Sequence, residues 1–498
     1  MRIRLLFLLA LPCLLAAQSL KDFEKKVTSF TLPNGLQFLI IERHDAPVVS
    51  FHTYVNAGSV DDPSGSTGVA HMFEHMAFKG TAAIGSKNWL KEKAALDLIE
   101  TAYDKLDAER NKGFRSDPAK VASLEASLKD AIASADSYVE PNEYDRIVES
   151  NGGVGMNAGT GEDSTQYFYS FPSNRLELWF LLESERFLRP VLREFYKERD
   201  VVREERRMRT ESSPTGQLVE ALLGTAFLAH PYHVSGIGWG TDIESFRRKD
   251  AEAFFKRYYV PSNLVIAIAG DVDPVKAKQM ATRYFGRIPA GPTPPLVRTT
   301  EPPQPGEKRV KIASPSQPFL AIGYKRPDQY SPDAPVLDVL SELLSGGRTG
   351  ILYKDMVRDQ QIALETQAIP AFPGSKYPSL FLFFSVPSGG HNVEDNEKAL
   401  DKIIERVKTQ PVDAASLTRV KTKLRANLIQ GLDDNSGLAQ TLASYQAAYG
   451  DWRKVFTELE DYNKVTAADV QRVAQKYFVE TSRTVAWTYA PAAGGASK

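Results

Sequence analysis

Two stretches of this chain, residues 251–267 and 470–486, share one layout without a gap, and this repeat constrains the fold more than any other feature. In the first, Ala251 to Tyr259 is helical in pattern and leads through Val260-Pro261-Ser262-Asn263 into the strand-like Leu264-Val265-Ile266-Ala267. Val470 to Phe478, Val479 to Ser482 and Arg483 to Ala486 follow the same plan. Between the copies, residues 291–308 are rich in proline and read as a linker. Each side then forms one α+β unit of roughly 200 residues, an ordinary domain size. The expected divisions are a leader at 1–17, a first domain at 18–290, a second at 309–491, and a tail at 492–498.

The halves differ where chemistry is concerned. His71-Met72-Phe73-Glu74-His75 lies in the first, with Val69, Met72, Phe73 and Met76 at helical spacing and Gly80 where a helix would stop. Residues three and four apart are neighbours on a helix, so His71 and His75 aim two imidazoles at one point with Glu74 beside them. Zinc accepts neutral imidazole, and H-x-x-E-H is among the zinc-hydrolase signatures. Such a pair also arises by chance, so the motif requires a third ligand elsewhere. If a hairpin of about 50 residues is inserted in the first half, the repeat aligns the motif with Val336–Leu344, which has no histidine. The second copy therefore reads as a binding or structural unit.

The remaining chain supplies context. Arg2 and Arg4, the apolar run Leu5–Leu15 and Ala16-Ala17-Gln18 have the plan of a signal peptide, with the single cysteine, Cys13, inside it. This points to an exported protein of the periplasm or cell envelope, with secretion a further destination and no stable membrane span. Lys and Arg total 61 against 62 Asp and Glu, a balance that gives no global attraction to nucleic acid. Val27–Leu32 and Gly35–Ile41 read as a hairpin turning at Pro33-Asn34-Gly35, and Val48–Val55 as a buried strand. Leu96, Ile99, Tyr103 and Leu106, then Val121, Leu124, Leu128 and Ile132, mark the helical hairpin at about 87–140, with Asp117 capping and Pro118 opening its second helix. The glycine-rich stretch 151–160 reads as a turn feeding a strand at Thr165–Phe171. His230 and His233 flank a proline in a loop and read as structural. Arg193–Thr210 is a charge-dense helix with Val201, Val202 and Met208 as its packed side. Glu198 and Glu205, two turns apart, share a face of it. Alone, this is a solvated helix face; it is also the best-placed source of a carboxylate ligand.

Taken together, the His71–Thr81 stretch and the later Glu-rich helix resemble the pitrilysin-type zinc peptidases, the family of mitochondrial processing peptidase and insulin-degrading enzyme. The resemblance spans roughly Val27 to Ala490. It implies two homologous domains, each a mainly antiparallel sheet packed with helices, facing each other around a chamber. It implies one Zn²⁺ per chain held by His71, His75 and a distal glutamate, with Glu74 as general base. The family's E-x(6)-E pattern selects Glu205 as that ligand and Glu198 as its support, with Glu204 the runner-up. The spacing from His75 to Glu205 exceeds the family's usual one, and the hairpin accounts for most of the excess. Residues 153–167 are implied to form an edge strand onto which a peptide substrate adds, with Asn157 and Ala158 matching the family's Asn-Ala pair. Leu352–Arg358 resembles the stretch whose arginine contacts substrate, which assigns that role to Arg358. The companion tyrosine is replaced by Leu364, which leaves room for a partner: a second copy of the chain or an inactive homologous subunit. The function implied is a zinc-dependent metalloendopeptidase acting on peptides or unfolded segments, and the alternative is a noncatalytic peptide-binding or assembly subunit.

Overall fold

A computed structural model describes residues 23–491; the leader, Cys13 and the tail lie outside them. The chain builds two sheets. The first contains β1 (Val27–Thr31), β2 (Gln37–Glu42), β3 (Val48–Val55), β4 (Val154–Thr160), β5 (Thr165–Pro172) and β6 (Leu264–Gly270), in the order β1-β2-β6-β3-β5-β4. The second contains β7 (Lys308–Ala313), β8 (Leu320–Arg326), β9 (Ala363–Phe372), β10 (Ser379–Pro387) and β11 (Arg483–Tyr489), in the order β7-β11-β8-β10-β9. Without β1 the two orders superimpose. β2 pairs parallel with β6 as β7 does with β11, and the remaining pairs are antiparallel. The sequence repeat falls on the last strand of each unit and the helix before it: Arg248–Tyr258 before β6, and Ala467–Tyr477 before β11. The fold is therefore α+β and duplicated.

Burial explains why β6 is an unbroken apolar run. Every residue from Leu264 to Gly270 is buried, since both faces of the sheet are covered. One face packs on the first half's own helices, where Phe51 stacks on Trp179 at 4.2 Å between ring centroids. The other is covered by a helix from the second half, Asn435–Tyr449, whose Leu438 and Leu442 meet Leu39, Ile41 and Val265. The exchange is mutual: Leu218 and Leu222 of the first half's Pro214–Ala226 helix pack against Leu380, Leu382 and Ala486 of the second sheet. Each half thus supplies a cover for the other's sheet. Residues 290–305 between them have no regular structure, and Glu301 is held by the backbone N–H groups of Leu228, Ala229 and His230. A cavity of about 770 Å³ lies between the halves, bordered by Tyr54, Gln166, Arg326, Asp338 and Tyr449. No helix among the described residues is long and apolar enough to cross a membrane.

The inserted hairpin consists of helices Trp89–Arg110 and Pro118–Asp136, with the Asp117 carboxylate accepting the N–H groups of Ala119 and Lys120. Leu96, Ile99, Tyr103 and Leu106 are buried along its seam.

The structure alters three sequence readings. The charged helix runs Phe195–Arg206 and ends in a π-helical turn, Arg207–Glu211. Val201 and Met208 are not on its packed side but 47% and 60% exposed; only Val202 of the three is buried. Glu198, Val202 and Glu205 share one inward face at i, i+4 and i+7, with Val202 buried and the two carboxylates partly so, while Val201 and Met208 turn to solvent. The edge strand is β4 alone, Val154–Thr160; Tyr167 belongs to β5, hydrogen-bonded on both sides. The motif helix stops at Met76, four residues before Gly80.

Candidate metal centre

The motif helix, Val69–Met76, is divided cleanly between two environments. Val69, Ala70, Met72, Phe73 and Met76 are buried, with Phe73 at 5.2 Å from the Phe255 ring and 4.5 Å from that of Tyr259. That leaves His71, Glu74 and His75 on the opposite face, toward β4 and the carboxylate helix. The N-terminus is pinned by Asp62, whose carboxylate accepts the N–H groups of Gly68 at 2.6 Å and Ala70 at 2.9 Å. Gly68 has φ +91°, and a Cβ there would lie 2.3 Å from the Ile237 carbonyl oxygen, so only glycine fits.

His71 Nε2 lies 3.7 Å from Glu205 Oε1, and His75 Nε2 lies 3.5 Å from Glu205 Oε2. One ligand atom from each of the three residues falls within a 4.8 Å group. A tetrahedral zinc with bonds of 2.0–2.2 Å would hold its ligand atoms about 3.4 Å apart, so the donor spacing fits the ion. The donor set fits as well. Burial, with the charges of His75 and Arg209, pulls His71 down to about 3 and keeps its imidazole neutral. For His75, burial acts downward but is outweighed by Glu198, Glu205 and Glu74, which raise its pKa. The field that favours a proton there also favours a divalent cation in competition with it.

Surrounding residues orient this group. Glu198 Oε2 is 3.5 Å from His75 Nδ1, so that the other nitrogen faces Glu205. Burial pushes the Glu198 carboxyl up, yet His75 and Lys79 hold it down at about 2; Lys79 Nζ is 2.6 Å away. Arg209 reaches back from the π-helical turn to Glu205 Oε1 at 2.7 Å. Glu74 accepts a 2.5 Å hydrogen bond from the hydroxyl of Thr160, the last residue of β4. Burial raises its pKa above the ordinary carboxylate value despite that bond.

Arg193 shows how residues so distant in sequence are brought together. Its guanidinium donates to Glu92 of the inserted hairpin at 2.7 Å and to the carbonyls of Lys79, Thr81 and Ile84 just after the motif helix. The hairpin, the motif and the start of the carboxylate helix are joined by one buried cation.

Glu204, adjacent to Glu205, turns to solvent and pairs with Arg207 at 2.5 Å, outside the cluster. Asn157 and Ala158 lie on β4, which pairs only with β5 among the described strands and leaves its other side open. Arg358 is not gathered into this group: its fork is taken by Asp359 at 2.6 and 2.9 Å on a π-helical turn of the second half. Leu364 is exposed at the start of β9, the corresponding edge of the second sheet. His230 is buried, accepts the Tyr232 N–H and is drawn down to about 4 by burial, as a packed loop residue would be. Sequence patterns gave Thr160, Lys79, Arg193 and Arg209 no role in this site, although Lys79 lies in the His71–Thr81 stretch and Thr160 closes the glycine-rich one, because each acts through a contact distant in sequence or across a turn.

Because Glu198 aims His75, Glu198→Ala should weaken zinc affinity by about 10- to 100-fold without unfolding the chain. Competition with a chromogenic chelator measures this, and an unchanged affinity would remove Glu198 as an orienting group.

Comparison with known proteins follows the same division. A family model described as insulinase (peptidase family M16) matches residues 37–105, and one described as the peptidase M16 inactive domain matches residues 245–424. A zinc protease PqqE of Helicobacter pylori is 28% identical over 484 residues, covering 94% of each chain. A probable mitochondrial-processing peptidase subunit beta of Arabidopsis thaliana is 22% identical over 470 residues, covering 92% of this chain and 77% of that one. Among solved structures, a protease from Helicobacter pylori has a TM-score of 0.76 at 27% identity, over 93% of this chain and 99% of its own.

Proposed function

The chain belongs to the M16 peptidase family, and on that premise we propose that it is a zinc-dependent endopeptidase acting on peptides or unfolded segments. The observation that carries this reading is the convergence of both motif imidazoles on Glu205 with Glu74 alongside. His71, His75 and Glu205 would hold one zinc ion. When bound, zinc supplies Lewis acidity that makes a water a nucleophile near neutral pH and polarises a carbonyl. Glu74 takes the proton of the attacking water and returns it to the leaving amine; its raised pKa suits a group that must hold a proton in passing. The open side of β4, which ends at Thr160 beside Glu74, lets an extended peptide add as a further strand and lie across the base. The leader read in residues 1–17 supports an exported location, in the periplasm or cell envelope.

A second reading is a noncatalytic subunit that binds peptide or assembles with an active relative. Leu364 in place of a tyrosine, and an Arg358 already paired with Asp359, favour it. Under either reading, a second copy or an inactive homologue would complete the substrate contacts. Metal analysis with a quenched-peptide assay separates the two. The peptidase reading expects about one zinc per chain, activity lost to a chelator and restored by zinc. Zinc-loaded, folded protein that cleaves no peptide would favour the subunit.

A further inference from the structure

The cavity of about 770 Å³ between the halves lies on the face of the first sheet turned away from the metal centre. Along β3, Val55 packs with the motif helix, whereas Tyr54, on the opposite face, packs with the helix Asn435–Tyr449. Tyr54 borders the cavity, and none of His71, Glu74, His75 and Glu205 does. Its size and its place between two domains are those of a small-molecule pocket.

Most polar groups on its walls are already matched. Lys454 and Lys464 share Asp461, Arg472 pairs with Asp333 and Asp469, and Lys376 donates to the Asn56 amide oxygen. Arg326 and Asp338 are not. Arg326, the last residue of β8, is 4% exposed, and its Nε and Nη1 donate to the carbonyls of Pro327 and Pro370 at 2.8 and 2.6 Å. Among the described residues its Nη2 has no acceptor and no carboxylate pairs with it. Burial pulls its pKa below the ordinary guanidinium value, with Asp338 and Asp328 opposing that pull. Asp338, on the helix Ala334–Ser345, has within reach only the hydroxyl of Tyr462, at 3.3 Å. A phenol carries a single proton, and Tyr462 lies closer to Glu458 and gives it there. Burial pushes the Asp338 carboxyl up to about 6; Arg326 opposes the rise and Glu458 adds to it. The cavity thus presents a cation short of an acceptor and an anion short of a donor. They stand close enough to bias each other's charge, yet they are not paired. Such groups are costly to leave unmet.

We propose that this cavity binds a small zwitterion, a free α-amino acid or a dipeptide, with its carboxylate on Arg326, its ammonium on Asp338 and its side chain among tyrosine rings. Both ends then make charge-assisted hydrogen bonds. A simple anion would meet Arg326 but add like charge beside Asp338 and Glu458, and a simple cation would leave Arg326 unmet. Water can take the hydrogen bonds but neutralises neither charge. Tyr330 and Tyr445, both on the walls, stand 5.6 and 5.7 Å from the Tyr449 ring, a bed for an apolar or aromatic side chain. The ligand would touch Tyr54 and Gln166 of the first half as well as Arg326 and Asp338 of the second, and so tie the halves together. The site stands apart from the peptidase reading and would serve a catalytic chain and a noncatalytic subunit alike.

Isothermal titration of the full chain tests this with ligands that differ only at their charged ends. L-phenylalanine and glycyl-L-phenylalanine keep both charges, L-phenylalaninamide lacks the carboxylate, and N-acetyl-L-phenylalanine lacks the ammonium. At least one zwitterion should bind about 10- to 100-fold more tightly than either blocked form. Phenylalanine binding above the dipeptide assigns the site to a free amino acid, and the reverse order to a dipeptide. Arg326→Gln should bring the zwitterion down to the level of the amide, and Asp338→Asn to that of the N-acetyl form. Should either interior variant fail to fold, the comparison of ligands on the wild-type chain still decides. Affinities should be equal with and without a zinc chelator, since the cavity lies away from the metal centre. No saturable binding of either zwitterion, blocked forms that bind equally well, or binding lost with the metal would each overturn the site, and none of these bears on peptide cleavage.

Discussion

Glu74→Gln is expected to keep zinc and to lose peptide hydrolysis by about 10²- to 10⁴-fold, the usual contribution of a positioned acid–base group. The amide preserves the shape of the side chain and its hydrogen bond from Thr160, 2.5 Å long in the wild type, but has no affinity for the proton of water. Glu74 is not among the three residues whose donor atoms converge, so metal content should stay at the wild-type level. The measurement is kcat/KM on a quenched peptide alongside zinc stoichiometry. A variant that cleaves at the wild-type rate would exclude Glu74 as the base, and one that loses both zinc and activity would make it a ligand.

Glu205→Ala should instead empty the site. Losing an orienting partner costs about 10- to 100-fold in metal affinity, and losing a direct ligand should exceed that. The two imidazoles would remain, 4.9 Å apart between ring centroids, without the carboxylate both now face. Glu204→Ala is the control, since Glu204 is exposed and spends its charge on Arg207. Zinc titration of both variants reads the difference, with thermal melting to show that each is folded. If Glu204→Ala loses zinc and Glu205→Ala does not, the ligand assignment is reversed.

Much of this organisation is legible in local sequence because local physics sets it. The hairpin follows from apolar spacing plus the Asp117-Pro118 cap, and the two imidazoles from a spacing of four on a helix. The duplicated unit shows because an identical helix-to-strand step needs the same apolar pattern twice. Val201 and Met208 went astray because an apolar residue on a charged helix signals burial only if something packs there. The stripe through Glu198, Val202 and Glu205 faces the motif helix, and the next strip faces water.

By itself the sequence determined two repeated α+β units, an inserted helical hairpin, a His-Glu-His face and a pair of carboxylates two turns apart. Only the tertiary structure decided that Glu205 rather than Glu204 meets the imidazoles, that Thr160 holds Glu74, and that each half's sheet is covered by a helix of the other. The physical reason is distance along the chain. Periodicity and capping act within a few turns, whereas these contacts join segments separated by tens to hundreds of residues, where burial and charge pairing choose the partner and no local pattern records the choice.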